Sequence, residues 1–480
     1  MKKIILFILL VIIWFGPVDG SCSAAGNGNA ETHAEPPRPS TEKGKAVNLA
    51  EINTLDMETA VAKALCSNPG IRAAKQRIHQ AKARMDQARS TYWPRLDTGV
   101  SGRWAKLSGN AYDENLTTAR FFNPNATIDD PETYYKADLT ATWTLFDGFE
   151  RKFSNLEALY GKSVESQGVK DAQRLLVSAV AQSYFSAQLA LENIAIEKAD
   201  EAFNQRQLQE ARARYRMGTG SLSDVLNFQV RGNQAKTARI NQEYEYDTAL
   251  SGLAALLGLP QALFPGHLHL ARLAPETKTE LSTPCVEQLI ARAFDLRPDI
   301  QKTRWQIKQT TARIRIAQAD YYPSVVVSGS MEGERTDDMH FGGNDFGKSI
   351  QVGLSYNLFS GGATKAKVRE ASHRKKELEK QLEEMILSVS ADIRASAGLV
   401  ATAQTQVALQ RQNVDLVQRT RDLVEKEYNA GQGSLVRLNE AQKDLTAARG
   451  ALALSLVALR QAWVQLQTRT GTVLATYGVL

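Results

Sequence analysis

Residues that could bind a metal ion or a phosphate group are scattered along this chain. The closest pair of its six histidines, His267 and His269, lies in a Pro-rich stretch without cysteines or a carboxylate cluster nearby, whereas a zinc site needs three or four converging ligands. The glycine pairs Gly342-Gly343 and Gly361-Gly362 fall in a predicted hairpin loop and at a predicted helix start, not in a phosphate-binding loop. We therefore expect no enzyme activity, no cofactor and no metal, and we expect a partner to supply any energy.

The amino terminus carries an export signal. Lys2-Lys3 precedes an unbroken apolar run at 4–15, which is too short to span a membrane as a helix. Residues 1–22 are therefore predicted to be a signal peptide. The polar, Pro-rich residues 23–50 that follow are predicted to form a disordered leader.

Cys22 stands where a bacterial lipoprotein carries its lipid. The small residues Gly20 and Ser21 precede it. Three residues before such a cysteine an apolar residue is usual, whereas this chain has Asp19. Lipidation of Cys22 and ordinary signal cleavage between residues 20 and 25 are both open on this evidence.

The composition argues against other classes of protein. The formal net charge is only +6, and no run of basic residues is interleaved with aromatic ones, so nothing indicates binding to nucleic acid. Cysteine is scarce: a bridge between Cys66 and Cys285 and two free thiols are both open. Beyond the signal no apolar run is long enough to cross a bilayer, so we expect no membrane-spanning helix.

The chain contains an internal duplication. Trp143-Thr-Leu-Phe-Asp-Gly148 returns as Tyr356-Asn-Leu-Phe-Ser-Gly361, and Tyr215-Arg-Met-Gly-Thr-Gly-Ser-Leu222 returns as Tyr428-Asn-Ala-Gly-Gln-Gly-Ser-Leu435. Both motifs recur at the same separation along the chain. Duplicated halves of this kind can build one elongated body.

Two prolines extend the duplication upstream with a larger separation. Pro69 and Pro94 return as Pro298 and Pro323, with the same spacing inside each pair. The first copy therefore carries an insertion before its Leu-Phe-x-Gly motif. This insertion falls in 110–132, a stretch rich in Asn, Asp, Thr and Pro that is predicted to be an exposed loop.

Four segments alternate polar and apolar residues with the period of a β-strand. Residues 135–145 and 349–358 have unbroken apolar and polar faces, and residues 96–104 and 324–333 are their predicted partners. The first two have about the ten residues that a tilted membrane strand needs. We predict one β-hairpin per repeat, with a small soluble antiparallel sheet as the alternative.

The rest of the chain is predicted to be helical. Residues 148–217 and 361–430 are each predicted to form one helix, about 105 Å long. Shorter helices at 221–259 and 284–321 stack end to end to a similar length. Apolar residues recur every seven positions and indicate coiled-coil packing: Ile386, Ile393, Val400, Val407, Val414, Leu438, Leu445, Leu452, Leu459 and Leu466.

Four strands cannot close a barrel, and an open strand edge in lipid leaves backbone groups unpaired. Three copies would supply twelve strands and twelve helical columns. The predicted fold class is an α+β membrane protein with duplicated long α-helical hairpins. Its helices form a coiled-coil tube, and its four transmembrane β-strands per chain form a 12-stranded β-barrel as a trimer.

This set of features resembles the TolC-type outer-membrane efflux proteins, the outer membrane factors, over about residues 53–472. It comprises the duplication, the proline before each first strand, the Leu-Phe-x-Gly exits and the Tyr-x-x-Gly-x-x-Ser-Leu turns. The resemblance implies a homotrimer in outer-membrane lipid with its helical tube in the periplasm. It also implies two partners, a periplasmic adaptor (membrane fusion protein) and an inner-membrane transporter.

The resemblance assigns the helical turns to the periplasmic tip, where the family closes its channel and docks its adaptor. The matching residues are Tyr215, Gly218, Gly220, Ser221 and Leu222 in the first turn, and Tyr428, Gly431, Gly433, Ser434 and Leu435 in the second. Their charged neighbours Arg214, Asp224 and Arg437 are candidates for gating ion pairs, with a solvated helix surface as the alternative.

The predicted organisation has a first structural repeat at 51–260, a linker at 261–283 and a second repeat at 284–480. The predicted function is a trimeric outer-membrane channel of a tripartite efflux or secretion system. One alternative is the same duct in type I protein secretion. The other is a periplasmic coiled-coil scaffold with soluble strands.

Overall fold

The computed structural model describes residues 52–336 and 338–478. The predicted signal peptide, Cys22 and the predicted leader lie outside the described residues. The strands are β1 (Thr54–Leu55), β2 (Arg95–Ala105), β3 (Glu132–Asp147), β4 (His269–Leu270), β5 (Ser324–Thr336) and β6 (Phe346–Ser355). The helices are α1 (Met57–Ser67), α2 (Pro69–Ser90), α3 (Gly109–Phe122), α4 (Glu150–Arg216), α5 (Leu222–Leu256), α6 (Val286–Leu296), α7 (Pro298–Ala319), α8 (Ala363–Asn429), α9 (Leu435–Thr470) and α10 (Val473–Thr476).

Four strands form one antiparallel sheet in the order β2-β3-β5-β6. The hairpins β2–β3 and β5–β6 confirm the prediction of one hairpin per repeat. β2 and β6 are the edges of this sheet, and each has a paired strand on one side only. The short strands β1 and β4 form a separate parallel pair.

The strand register collects the apolar side chains of the large sheet on one face. Trp143 lies opposite Val327, which lies opposite Val352. Large exposed side chains of this face are Leu96, Val100, Trp104, Leu139, Trp143, Ile350, Val352 and Leu354. The other face is polar, and Lys136 forms an ion pair there with Glu332. A contiguous apolar surface of this extent marks contact with lipid or with another protein.

Each strand of the sheet joins a helical column. α2 leads into β2, β3 into α4, α7 into β5, and β6 into α8, so the columns follow the order of the strands. α5 stacks end to end with α2, and α9 stacks with α7. The predicted stacking of 221–259 on 284–321 was therefore wrong, because each returning helix meets the helix that leads into the first strand of its own repeat. α4 packs against α5 and α2 on one side and against α9 and α7 on the other, whereas α8 packs against α9 and α7. The outer columns are therefore α5 with α2, and α8.

Glycines allow the close approach at both stacking joints. Gly258 (φ 69°) follows α5, and Gly471 (φ 78°) follows α9 at the equivalent position of the duplication. A Cβ atom on Gly258 would lie 2.6 Å from the carbonyl oxygen of Ser67, and one on Gly471 would lie 3.1 Å from the backbone nitrogen of Arg297. Gly258 has no room for a side chain, and a side chain at Gly471 would require the backbone at Arg297 to move slightly.

The second joint also buries charge. Arg174 and Arg297 are each 5% exposed. Asp299 lies between them, with its Oδ2 atom 2.5 Å from Nη2 of Arg297 and 3.7 Å from Nη2 of Arg174. Arg297 donates to the carbonyl oxygen of Arg469 at 2.7 Å, and Arg174 donates to that of Thr468 at 3.0 Å. The cluster therefore ties together α4, α7 and α9.

The ionised form of Asp299 is stabilised by this cluster. Burial alone would raise the pKa of its carboxyl group. The hydrogen bond from Arg297 and the charges of Arg297 and Arg174 outweigh burial and hold the pKa below its usual value.

The Leu-Phe-x-Gly motifs turn the chain from strand to helix. Gly148 (φ 64°) and Phe149 (φ 71°) have left-handed backbone in the first repeat, as do Gly361 (φ 62°) and Gly362 (φ 83°) in the second. A Cβ atom on Gly148 would lie 2.6 Å from the carbonyl oxygen of Ala319. The glycine of the motif is thus favoured by the left-handed backbone at each junction.

The heptad pattern is confirmed by burial. Val389, Ile393 and Val400 of α8 form one cluster with Leu466 of α9. α8 also contains an 18-residue window with mean hydropathy 1.3, so by length and composition alone it could cross a membrane, contrary to the expectation of no membrane-spanning helix. Core helices pass the same test, and the apolar residues named here pack against other helices.

Three predicted boundaries were wrong. The stretch 110–132 is exposed but contains most of helix α3, which Ser108 caps by accepting a hydrogen bond from the backbone of Ala111. The helix predicted at 284–321 breaks at Arg297 (ψ 121°), because a residue before proline avoids the helical conformation. The strand predicted at 349–358 ends at Ser355, which lies opposite the first residue of β5.

Among the described residues, Cys66 and Cys285 are free and exposed, so the two do not form a disulfide. No group of three or more His, Cys, Asp or Glu side chains within the described part of the chain could hold a metal ion. His269 lies in β4, where its backbone donates to Asn53.

Candidate functional site: the turns of the two helical hairpins

The two helical hairpins end in equivalent turns. Gly218 (φ 76°) and Gly431 (φ 73°) have left-handed backbone just after α4 and α8. Their N–H groups donate to the carbonyl oxygens of Tyr215 and Tyr428, each at 3.0 Å. These bonds satisfy carbonyl groups that a helix end leaves unpaired.

The second glycine of each turn permits close packing. A Cβ atom on Gly220 would lie 2.8 Å from Cβ of Arg214, and one on Gly433 would lie 2.9 Å from the backbone nitrogen of Tyr428. Each turn therefore needs one glycine for its φ angle and one for lack of space.

Serine side chains cap the starts of the two returning helices. Oγ of Ser221 accepts from the N–H of Ser223 at 3.0 Å, and Oγ of Ser434 accepts from the N–H of Arg437 at 3.3 Å. The leucines that follow differ in exposure. Leu222 is exposed, whereas Leu435 packs against the core at the turns, a buried cluster that includes Phe228, Tyr428 and Leu438.

We expect Gly433→Ala to destabilise the second turn by about 1–3 kcal/mol, since the added methyl group must displace backbone. Limited trypsin digestion of the extracted protein, read as the cleavage rate after Arg437, measures this effect. The control is Gly450→Ala, because nothing lies within 4 Å of a Cβ atom there and alanine favours a helix interior. Equal cleavage of the two variants would contradict the prediction.

The two matched tyrosines have different environments. Tyr428 is 8% exposed, whereas Tyr215 is 47% exposed. Tyr428 packs with Phe203 and Phe228 of the first hairpin, and its ring is 6.2 Å from that of Phe228. Only the second turn therefore uses its tyrosine to join the two hairpins.

Polar contacts converge on Tyr428. Its O–H group donates to Oδ2 of Asp224 at 3.3 Å. The guanidinium group of Arg214 lies 5.4 Å from the centre of the Tyr428 ring and donates to Oδ1 of Asn429 at 3.0 Å. Burial, together with the charge of Asp224, raises the pKa of Tyr428 to about 12. The phenol therefore stays protonated near neutral pH and remains a donor.

The three charged residues predicted for gating have separate roles within one chain. Among the described residues, Arg214 and Asp224 meet through Tyr428 and not as an ion pair. Arg437 pairs with Glu427 of its own hairpin at 3.0 Å, in contact with solvent. Two of the three thus act between hairpins and one within a hairpin.

A polar seam next to the turns, formed by Asn227, Asn439, Asp200 and Gln442, was not predicted from the sequence. Asn439 donates to Asn227 at 2.8 Å, and Gln442 donates to Asp200 at 2.7 Å. These amides occupy buried positions beside the leucine heptad of α9. In the sequence, the seam is visible only as polar residues next to that heptad. Their hydrogen-bond partners lie in the first repeat, so the pairing could not be predicted from a local pattern.

A sheet with one apolar face, helical columns that continue its strands and tight turns at the far end define a subunit of a membrane channel. The family model for outer membrane efflux proteins matches residues 60–259 and 289–472, so the chain belongs to this family. The resemblance to the TolC-type proteins is thereby confirmed.

Three comparisons illustrate this membership. The chain is 24% identical over 420 residues to the pyoverdine export outer membrane protein OpmQ of Pseudomonas aeruginosa, covering 87% of this chain and 85% of OpmQ. It is 25% identical over 395 residues to the probable outer membrane lipoprotein SilC of Salmonella typhimurium, covering 81% and 79%. The Campylobacter jejuni CmeC outer membrane channel has the same fold, with a TM-score of 0.71, 17% identity and coverage of 94% and 95%.

The protein is therefore an outer-membrane channel of a tripartite efflux or secretion system, with its helices in the periplasm. Members of this family are channels and not enzymes.

Proposed function

We propose that three copies of this chain close into one duct, with a twelve-stranded barrel in the outer membrane and twelve helical columns below it. The supporting observation is that, within one chain, the β-sheet and the row of helical columns each have two edges without a neighbour. β2 and β6 are unpaired edges of the sheet, and α2 with α5 and α8 are the matching outer columns. An unpaired strand edge in lipid costs several kcal/mol per backbone group, so neighbouring copies must cover it.

Apolar side chains on the outer columns support the same arrangement. Leu409, Leu416 and Leu423 recur every seven residues on α8 and are all exposed. Ile240 and Tyr244 are exposed on α5 at the opposite edge. α8 of one copy can therefore pack against α5 of the next, which is a head-to-tail contact that closes into a ring.

The turns are proposed as the periplasmic tip that closes the duct and docks an adaptor. Exposed Tyr215, Met217 and Leu222 offer apolar surface for a partner, and the contacts of Tyr428 with Arg214 and Asp224 hold the two hairpins together. Substrate would arrive from an inner-membrane transporter through that adaptor. The docking residues are those of the two turns: Tyr215, Gly218, Gly220, Ser221, Leu222, Tyr428, Gly431, Gly433, Ser434 and Leu435.

Lipidation of Cys22 is part of the proposal. The small residues before Cys22 suit lipid attachment, and SilC is named a probable lipoprotein. The proposed organisation is then a leader anchored by its lipid, followed by two structural repeats at 51–260 and 284–480.

The native mass of the detergent-extracted protein tests the trimer, and we expect three mature chains. Leu416→Asp should shift the assembly toward monomer, because an unpaired carboxylate buried at each contact costs several kcal/mol. Leu454→Asp is the control, since Leu454 is exposed on α9, an inner column. A monomer for the unsubstituted protein would contradict the proposal. The denatured mass of the same sample tests whether the mature chain begins at an acylated Cys22.

A further inference from the structure

A groove between α2 and α4 lies at the ends of these helices that join the sheet. It has a volume of about 400 Å³ and is lined by Met85, Arg89, Tyr92, Lys152, Asn155, Leu156 and Leu159. Buried Met85 and half-buried Leu156 form an apolar floor, and exposed Arg89 and Lys152 form a basic rim. An apolar floor with a cationic rim suits an amphiphile with an anionic headgroup.

The position of the groove matches the membrane boundary. Arg89 lies in the last turn of α2 and Lys152 in the first turn of α4. Exposed aromatic side chains mark all four strand–helix junctions, as is typical of a membrane–water interface: Trp93, Phe149, Tyr322 and Phe359.

A hydrogen bond connects the groove to the apolar face of the sheet. Nε1 of Trp143, on the apolar face, donates to the carbonyl oxygen of Tyr92 at 3.0 Å. Because Tyr92 also lines the groove, the groove continues the apolar face that contacts the bilayer.

The cations of this groove lack carboxylate partners. Among the described residues, neither Arg89 nor Lys152 forms an ion pair. Asn155 donates to the carbonyl oxygen of Ala88 at 3.0 Å and holds the two helices together at this level. Two uncompensated cations beside a bilayer attract an anion.

The second repeat supplies an internal comparison. A groove of about 740 Å³ between α7 and α8 also carries basic residues. Its Lys367 pairs with Asp320 at 2.8 Å, and its Arg374 pairs with Glu377 at 2.6 Å. Its Arg313 pairs with Glu157. Charge in the second groove is neutralised within the chain, whereas charge in the first is not.

We propose that the groove between α2 and α4 binds one anionic phospholipid from the periplasmic leaflet of the outer membrane. The phosphate lies between Arg89 and Lys152, and the glycerol and upper acyl carbons lie against Tyr92 and Leu156. The lipid fixes the height of the sheet in the bilayer. The proposal depends on the outer-membrane location but not on three copies, so it can fail independently of the trimer.

Native mass spectrometry of the delipidated full mature protein tests this proposal, with phosphatidylglycerol and phosphatidylethanolamine offered separately at equal concentrations. We expect preferential retention of phosphatidylglycerol. The double variant Arg89→Gln/Lys152→Gln should weaken that binding about 30-fold, because each cation near a lipid surface contributes roughly fivefold. Both side chains are exposed, so circular dichroism and assembly should not change.

The matched control is Lys367→Gln/Arg374→Gln in the second groove, which should bind phosphatidylglycerol as the unsubstituted protein does. Equal retention of the two lipids, or equal loss in both double variants, would overturn the proposal. Competition with glycerol 3-phosphate distinguishes a lipid-binding site from a site for free phosphate. If it displaces phosphatidylglycerol at equal concentration, the groove is a phosphate site and not a lipid site.

Discussion

Asp299→Ala is expected to lower the free energy of unfolding by about 3–5 kcal/mol. The substitution removes the carboxylate between Arg174 and Arg297, each 5% exposed. Arg174 keeps Asp171 at 2.7 Å as a partner, whereas the acceptor left to the Arg297 side chain among the described residues is the carbonyl oxygen of Arg469. A buried guanidinium group without a counter-ion costs far more than a solvated pair contributes. Helical circular dichroism of the extracted protein against guanidinium concentration measures the loss.

The pair Arg469–Asp392 provides the control for this experiment. It lies near the same joint at 2.9 Å, but both side chains are about 40% exposed. Asp392→Ala should therefore cost only about 0–1 kcal/mol. If the two substitutions destabilise the protein equally, the joint does not depend on the buried charge.

The effect of Asp299 should also depend on pH, in one direction. Its pKa is lowered in the folded protein, so the folded state binds this proton less tightly than the unfolded state does. Its stabilisation is complete above the ordinary aspartate pKa of about 3.9 and is lost as the pH falls through the lower folded value. The difference between the original protein and Asp299→Ala should be constant near neutral pH and shrink below about pH 4.

The repeated motifs were predictable because each is set by local backbone geometry. The glycines of the turns and of the Leu-Phe-x-Gly exits lie at positive φ or lack space for a Cβ atom, and period-two alternation specified the strands. Helix α3 was missed because Asn, Asp and Thr also favour loops. The break at Arg297 was missed although Pro298, the counterpart of Pro69, marks it in the sequence.

The joints and the seam required long-range contacts that no local pattern contains. Asn68 and Arg297 occupy equivalent positions, and each donates to the end of the stacked helix. One is a neutral amide and the other is a guanidinium group, so the duplication did not reveal their common role. Likewise, the motif treats Tyr215 and Tyr428 as equals, but only Tyr428 has Phe228 of the other hairpin beneath it.

Tyr428→Phe is expected to favour the open duct. The bond from Tyr428 to Asp224 joins the two hairpins of each chain at the proposed closed tip. A hydrogen bond to a charged acceptor contributes about 1.5–3 kcal/mol. Losing it should therefore shift the closed–open equilibrium toward the open state by roughly 10- to 100-fold for each chain. Single-channel conductance in planar bilayers measures this shift as a higher open probability. The control is Tyr215→Phe, because that tyrosine is half exposed and packs outside the core shared by the hairpins.

Phenylalanine isolates the hydroxyl group from the packing around it. The ring that contacts Phe228 and lies below Arg214 is retained, so the core at the turns should stay intact while only the bond to Asp224 is lost. Asp224→Asn keeps an acceptor but removes its charge, and it should open the duct less than Tyr428→Phe does. If neither variant changes the open probability while Gly433→Ala does, closure depends on the shape of the turn and not on the contact between hairpins.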